Sequence, residues 1–515
     1  MAENLWQNAR KYPDKTALIA ETERISFAQL HERVTHAAAG LKRAGFVAGD
    51  KLGVMLPSGP EFIVFEFAAF SLGGALVPLN VHYKPGEIEY AIDSCQVDHL
   101  VIHERFASCL PAELLHRLPS LRRLILVGDG GQNSTRDPRQ LNGGEILGER
   151  TAVLELADCR SEDLALMLYT SATTGKAKGV RLSIGNLQAN YDRTPEWLGL
   201  NHDDRILCAL PLYNTFALNQ CINAIMVTGA TLVLLPKFDV LHVLRAMQLH
   251  RITFFPAVPT MLQKLLNDPQ AMHFDISSVK RLLVGAAPVP APLLEQVYRS
   301  MGHDTVVMTG YGLTEASALV SLEHASLDSL GNLIRPRSVG RPLPGILMKI
   351  VTDDGDDAAP MAVGQIVIKG PNVMQGYHNK PAESADAVVD GWLQTGDVGM
   401  MDADGFYYVM DRKKDLIIRG GQNIYPAEIE EQLYAHPAVA EAAVVGRPDD
   451  VFGEVPVAYV ALKPEAQATS EELMALCRAE LAYFKVPKDI FVLAELPKGP
   501  TGKILRRELR PKAHI

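Results

Sequence analysis

Short apolar runs alternate with helical stretches through most of this chain, and that alternation is the strongest constraint on its fold. Lys51–Leu56, Ala75–Leu79, His99–His103 and Arg123–Val127 read as strands, too short for helices and rich in Val, Ile and Leu. Glu61–Leu72 reads as an apolar helix stopped by Gly73 and Gly74. Upstream, Ser26 with Gln29 forms a capping-box pattern, and Leu30, Val34, Ala37 and Leu41 fall on one face of the helix it opens. Strands alternating with helices imply parallel, helix-covered sheets, so the expected fold class is α/β. At 515 residues the chain exceeds the size at which one core keeps growing, roughly 250–300 residues, so more than one domain is expected.

The alternation resumes at Leu164 and runs to about Tyr408, after a polar stretch, Gly131–Gly144, that reads as an exposed loop. A charged knot, Asp411-Arg412-Lys413-Lys414-Asp415, then separates two apolar strands and marks a domain boundary. Beyond it lie strands at Ala442–Val445 and Val457–Leu462 and helices at Pro426–Ala435 and Ser470–Ala482. Several classes of function are disfavoured. The net charge of -10 lacks the basic footprint of a nucleic-acid binder. Cys95, Cys109, Cys159, Cys208, Cys221 and Cys477 form no CxxC pair or Cys/His cluster, so no zinc site is expected. They read as free thiols in a reducing compartment, and the charged N-terminus carries no secretory pattern. The uncharged run Ile206–Pro236 is long enough for a membrane span but holds Pro211, Asn214, Asn219, Gln220 and Asn223. It reads instead as a buried strand–loop–helix–strand.

Leu168-Tyr169-Thr170-Ser171-Ala172-Thr173-Thr174-Gly175-Lys176-Ala177-Lys178-Gly179-Val180 is the segment richest in chemistry. An apolar run feeds a loop of hydroxyls, small residues and two lysines, a donor set that suits a polyphosphate. It is not a Walker A loop, because Thr170 stands where the first glycine belongs and Ala177 where Ser or Thr follows the lysine. A Ser/Thr-rich surface turn is the competing reading.

This stretch resembles the phosphate loop of the adenylate-forming superfamily, which includes acyl- and aryl-CoA ligases, peptide-synthetase adenylation domains and beetle luciferases. Further matches follow in order: Pro211–Ala217, Gly285-Ala286-Ala287-Pro288, Gly310-Tyr311-Gly312-Leu313-Thr314-Glu315, Ser338–Gly345, Gly391–Asp397, Asp411–Asp415, Gly421–Glu430 and Pro500-Thr501-Gly502-Lys503. The resemblance covers nearly the whole chain, and its order makes chance matching untenable. It implies a large N-terminal domain of layered α/β sheets over 1–411, with a β-rich subdomain near 330–410. A small mobile α+β C-terminal domain over 412–515 would follow.

The resemblance also implies a two-step reaction. A carboxylate attacks ATP to give an acyl-adenylate and pyrophosphate, and a thiol then displaces AMP. Thr170, Ser171, Thr173, Thr174 and Lys178 match the loop holding the β- and γ-phosphates. Thr314 would donate to a phosphate, and Glu315 matches the Mg²⁺ ligand. Gly285, Ala286 and Ala287 would let backbone approach the adenine, on which Tyr311 would stack. Asp397 would accept the ribose hydroxyls, with Arg412 beside it. Lys414 matches a hinge, Gly420 and Gly421 the pantetheine tunnel, and Lys503 the lysine bridging carboxylate and α-phosphate. Tyr213, Asn214, Phe216, Ala217, Val289, Gly310 and Ala316 would line the acyl pocket.

Several positions depart from the usual pattern. Ala172 stands for glycine, Ala177 for proline, Asn214 for histidine or an aromatic, and Ala217 for glycine. These bear on substrate and rate. The pocket positions lack an obvious charge, so an apolar monocarboxylate, medium-chain fatty or aryl, is expected. Mg²⁺ is the expected cofactor, with ATP and CoA as co-substrates. A carrier-protein phosphopantetheine is the alternative acceptor, and an inactive acid- or nucleotide-binding protein is the alternative of another class. A cytoplasmic location is expected, with no nucleic-acid partner and no integral membrane association; a homodimer is left open.

Overall fold

The computed structural model describes residues 1–128, 137–148, 154–170, 177–302, 304–499 and 503–510. They form two compact units. One comprises Met1–Phe255, Gly312–Leu319 and Lys369–Leu393; the other comprises Pro256–Tyr311, Val320–Ile368 and Gln394–Ile515.

The first unit holds an eight-stranded sheet. Its order is Gly376–Tyr377, Lys178–Ser183, Leu164–Thr170, Ala75–Pro78, Lys51–Met55, His99–His103, Arg123–Val127 and Gln140–Asn142. From Leu164–Thr170 onward the neighbours are parallel, as alternation with helices demands, while the Lys178–Ser183 edge is antiparallel. Buried Ile88, Ile92, Cys95, Leu114 and Leu118 pack against Val77, Leu100 and Leu124 of the sheet. A second set of strands runs Glu23–Ser26, Thr16–Ala20, Thr231–Leu234 and Arg205–Cys208. Ser26 closes the expected capping box, with Gln29 N–H donating to Ser26 Oγ at 3.2 Å and Ser26 N–H to Gln29 Oε1 at 2.9 Å.

The uncharged run resolves as expected into the strand Arg205–Cys208, helical turns from Thr215 to Thr228 and the strand Thr231–Leu234. Among the described residues no helix is long and apolar enough to cross a membrane. Within the run Leu218–Asn223 is a π-helical turn, which periodicity did not signal. The polar stretch Gly131–Gly144 lies partly outside the described residues. Its later part is more regular than expected, with the strand Gln140–Asn142 leading into the helix Gly143–Leu147.

In the second unit Arg281–Val284 pairs in parallel with 306–309. Antiparallel pairs join Ser321 to Pro342, Ser338 to Tyr408 and Asp397 to Arg412. The C-terminal sheet has the order Gln422–Ile424, Ile417–Arg419, Gly453–Leu462, Val439–Asp449, with Asp489–Leu493 parallel to Gly453–Leu462. The helices Pro426–Ala435 and Ser470–Glu480 cover one face through Ile429, Leu433, Leu473 and Cys477. Gly420 (φ +57°) and Gly421 (φ +81°) form the two-residue turn between Ile417–Arg419 and Gln422–Ile424. Two consecutive positive φ angles make a type I′ hairpin turn, which a β-branched residue would strain.

Glu66 is buried in the middle of the helix Pro60–Ser71, and burial raises its carboxyl to about 8. The folded protein therefore keeps a proton there that the unfolded chain releases above about 4.5. Stability is full below that value and falls as pH rises towards 8. Over this window the wild type should lose on the order of a few kcal/mol through this group. Glu66→Gln should remove that slope in thermal midpoints measured at several pH values. Parallel slopes for the two proteins would contradict the assignment.

Candidate active site

In the first unit, Thr170 ends one strand and Lys178 begins the next, and the two residues pair antiparallel. They bracket the hydroxyl-rich segment 171–176, which lies outside the described residues, Ser171, Ala172, Thr173 and Thr174 included. Lys178 Nζ lies 4.7 Å from the ring centroid of Tyr377. Tyr377 reaches it because Gly376–Tyr377 pairs with Arg181 and Val180. The Tyr377 hydroxyl donates to Glu315 Oε1 at 3.1 Å. An ammonium, a phenol and a carboxylate are thus joined through one ring.

Glu315 sits in the short turn Thr314–Ala316. Its carbonyl accepts from Met374 N–H at 2.8 Å, and Ala316 O accepts from Asn372 Nδ2 at 2.9 Å. Ser317 Oγ donates to Asn372 O at 2.7 Å. Ser317 (φ +62°) and Ala318 (φ +117°) bend the chain back, and a Cβ at Gly312 would collide with the Ala318 carbonyl. That close approach accounts for the glycine between Tyr311 and Leu313. Among the described residues no three His, Cys, Asp or Glu side chains gather to hold a metal. A single carboxylate such as Glu315 fits a hard cation that takes its other oxygens from phosphates and water, and does not fit zinc.

Of the expected pocket residues in this unit, Ala217 and Ala316 are buried, while Tyr213, Asn214 and Phe216 are half-buried. Burial raises the Tyr213 phenol. Asn214 Oδ1 caps the turn that follows it, accepting from Ala217 N–H at 3.1 Å. One lone pair of its carbonyl oxygen is therefore spent on the backbone, which fixes the orientation of the side chain.

In the second unit, buried Asp397 is the focal carboxylate. Tyr311 Oη donates to its Oδ2 at 2.6 Å, and Arg412 Nε lies 3.2 Å from its Oδ1. Asp397 N–H donates to Thr395 Oγ1, which donates to Ile366 O. Tyr311 is held above its ordinary value, first by burial and then by the Asp397 charge. Gly285, Ala286 and Ala287 follow the strand Arg281–Val284, and Ala286 adopts φ +65°. A non-glycine residue there stores strain of a kind common at binding sites. Val289 and Gly310 belong to this unit as well.

Lys503 shares the field of Asp397. Although Lys503 is exposed, partial desolvation by the protein packed around its ammonium lowers it to about 8, with repulsion from Arg412, Arg506 and Lys414 outweighing what Asp397 restores. Its backbone is pinned by Gly499 N–H donating to Lys503 O at 2.8 Å and by the bridge between Lys498 and Ile504. Pro500, Thr501 and Gly502 lie outside the described residues. Lys414 sits in the turn Lys413–Asp415, where Arg510 donates to its carbonyl and to Asp415.

Two participants escaped the sequence reading. Tyr377 carries no local signal, because its place beside Lys178 and Glu315 depends on pairings between distant segments. Arg506 donates to Asp411 Oδ1 at 2.9 Å and to both Glu430 oxygens at 2.8 and 2.7 Å. Those carboxylates hold its guanidinium above the ordinary value. The network ties the end of the chain, and with it Lys503, to the strand Tyr407–Arg412 and the helix Pro426–Ala435.

The comparisons with known proteins agree with this geometry. A family model described as AMP-binding enzyme matches residues 5–378, and one described as AMP-binding enzyme C-terminal domain matches 428–503. A long-chain-fatty-acid–CoA ligase of Bacillus subtilis is 36% identical over 98% of this chain and 93% of its own length. A crystal structure of an anthranilate CoA ligase in complex with anthranoyl-AMP superposes with a TM-score of 0.90 at 28% identity, covering 99% of this chain and 96% of that one. The o-succinylbenzoate coenzyme A synthetase from Bacillus subtilis, in complex with ATP and magnesium ion, gives 0.82 at 32% identity, covering 98% of each chain. These likenesses extend over a large N-terminal domain and a small C-terminal one, in a mixed α/β fold.

Proposed function

The chain belongs to the AMP-binding enzyme family, and from that premise we propose that it activates a carboxylic acid with ATP and passes the acyl group to CoA. In the first step a carboxylate oxygen bonds to the α-phosphorus while the bond to the pyrophosphate oxygen breaks, and pyrophosphate leaves with the electron pair. In the second, the thiolate sulfur bonds to the acyl carbon and AMP leaves. The observation that carries the reading is the Asp397 carboxylate, gripped by Tyr311 and Arg412 and sharing its field with Lys503. Such a carboxylate suits a sugar diol, and a partly desolvated ammonium beside it suits developing phosphate charge.

In this reading Lys503 bridges the acid and the α-phosphate, and Lys178 and Thr170, with Ser171, Thr173 and Thr174, hold the outer phosphates. Thr314 adds a hydroxyl to that set. Gly285, Ala286 and Ala287 pass along the adenine, and Tyr311 flanks it. Glu315 would hold Mg²⁺, which when bound neutralises phosphate charge. Tyr377 fixes the Glu315 carboxylate and shields one side of Lys178. The acid is an apolar-bodied monocarboxylate, fatty or aryl, received by Tyr213, Phe216, Ala217, Ala316, Val289 and Gly310. The domain boundary falls at 411/412, Lys414 serves as hinge between the half-reactions, and Gly420 and Gly421 line the path of the thiol arm. Six free cysteines suit a reducing, cytoplasmic setting.

Asp397→Asn tests the nucleotide assignment. It keeps the shape of the side chain but removes the charge that balances Arg412. The expected result is ATP and AMP affinity weakened by about 10–100-fold in calorimetry, the cost of charge-assisted hydrogen bonds. Unchanged affinity would remove Asp397 from the site.

A further inference from the structure

The two strand ends that lead to Thr170 and Lys178 rest on one turn of one helix, Pro85–Cys95. The Tyr90 hydroxyl donates to Ala177 O at 2.9 Å, one residue before Lys178. The Tyr169 hydroxyl, one residue before Thr170, donates to Ala91 O at 3.1 Å and meets Ser94 Oγ, which in turn donates to Tyr90 O. The Tyr90 and Tyr169 rings lie against each other, with centroids 6.0 Å apart and planes inclined at 60°. On the other side of Lys178, Gly179 pairs with Tyr169 across the ladder, and a Cβ there would come 3.2 Å from Cys95 Sγ. The glycine lets the strand run this close to the helix. Residues 90 and 95 of one helix thus contact the chain on both sides of Lys178, and residues 91 and 94 contact it just before Thr170.

We infer that Tyr90 is a positioning residue for Lys178, and through it for the outer phosphates of ATP. The inference rests on the acid-activating reading and refines how its phosphate site is set. Ala177 carries the argument, because it stands where proline is usual. A proline ring fixes φ and so aims the peptide group that follows. Alanine leaves that torsion free. A hydrogen bond from the helix to the Ala177 carbonyl supplies the missing constraint, since that carbonyl belongs to the peptide group leading into Lys178. The Tyr169 contacts cannot do this, because they hold the entering strand and not the 177–178 peptide. Lys178 is then set from two directions: Tyr90 fixes the backbone it grows from, and the Tyr377 ring, 4.7 Å from Nζ, fixes its ammonium. Plain packing of the helix on the sheet is the competing role for Tyr90, and it makes no distinction between nucleotides.

The test is calorimetric titration of ATP with Mg²⁺, and separately of AMP, into the wild type, Tyr90→Phe, Ala177→Pro and the double variant. AMP lacks the β- and γ-phosphates, so its binding does not report on Lys178. Tyr90→Phe keeps the ring against Tyr169 and loses only the hydroxyl. It should weaken ATP by about 3–10-fold, the worth of one hydrogen bond, and leave AMP binding unchanged. Ala177→Pro keeps the carbonyl and fixes φ, so in that background loss of the Tyr90 hydroxyl should no longer cost ATP affinity. Equal weakening of ATP and AMP by Tyr90→Phe would mark a general packing role and overturn the inference. Unchanged ATP affinity in Tyr90→Phe, or the same loss with Ala177→Pro as without it, would overturn it too. A wild type that binds neither nucleotide would remove the acid-activating reading itself.

Discussion

Lys503→Ala is expected to slow adenylate formation by on the order of 10²–10³-fold or more while leaving thioester formation from a supplied acyl-adenylate within a few-fold. The asymmetry follows from the chemistry. Only the first half-reaction develops charge between a carboxylate and an α-phosphate, where a positioned ammonium counts most. The position is built rather than incidental, since Gly499 and the Lys498–Ile504 bridge pin the backbone and Arg506 anchors the segment behind it. The pH dependence has a definite sign. With its ammonium at about 8 in the free protein, Lys503 loses its proton as pH rises past that value. Binding of the anionic substrates should then take up a proton from buffer near pH 8, and the adenylation rate should fall on the alkaline side before the thioester rate does. Lys503→Arg keeps its charge at every accessible pH and should flatten that alkaline limb. Stopped-flow measurement of each half separately checks this, and equal losses in both halves would overturn the role of Lys503.

Glu315→Gln is expected to cost the same half-reaction about 10²-fold or more and to raise the Mg²⁺ concentration needed for half-maximal rate. The neutral amide keeps the shape of the side chain and the hydrogen bond from Tyr377, so the loss reports the charge. Tyr377→Phe supplies the calibration. It removes the hydroxyl that donates to Glu315 but keeps the ring 4.7 Å from Lys178 Nζ. Its effect should be milder, about 3–10-fold, and should appear as a higher Mg²⁺ requirement with little change at saturating metal. Magnesium titrations of the adenylation rate distinguish the three proteins. A Glu315→Gln enzyme with unaltered Mg²⁺ dependence would contradict the assignment.

Local patterns revealed the regular parts of this molecule because local physics decides them. The Ser26–Gln29 capping box, the strands at His99–His103 and Arg123–Val127 and the helix Pro426–Ala435 follow from caps, apolar period and Gly or Pro stops. The π-helical turn at Leu218–Asn223 was hidden because one extra residue per turn leaves no distinct apolar period. At the candidate site the motif residues were legible individually, but their partners were not. That Tyr311 and Arg412 grip Asp397, or that Tyr377 links Lys178 to Glu315, depends on strand register between distant segments. Asn214 shows the converse: read as a pocket substitution, it spends a lone pair of its carbonyl oxygen on capping its own turn.

The central claim is tested most directly by incubating the purified protein with ATP, Mg²⁺ and a panel of fatty and aryl acids, with and without CoA, and reading products by mass spectrometry. The account predicts an acyl-adenylate with pyrophosphate in the absence of CoA, converted to acyl-CoA and AMP when CoA is added. An adenylate that persists in the presence of CoA would contradict the proposed acceptor, and the absence of adenylate from every acid would contradict the activity itself.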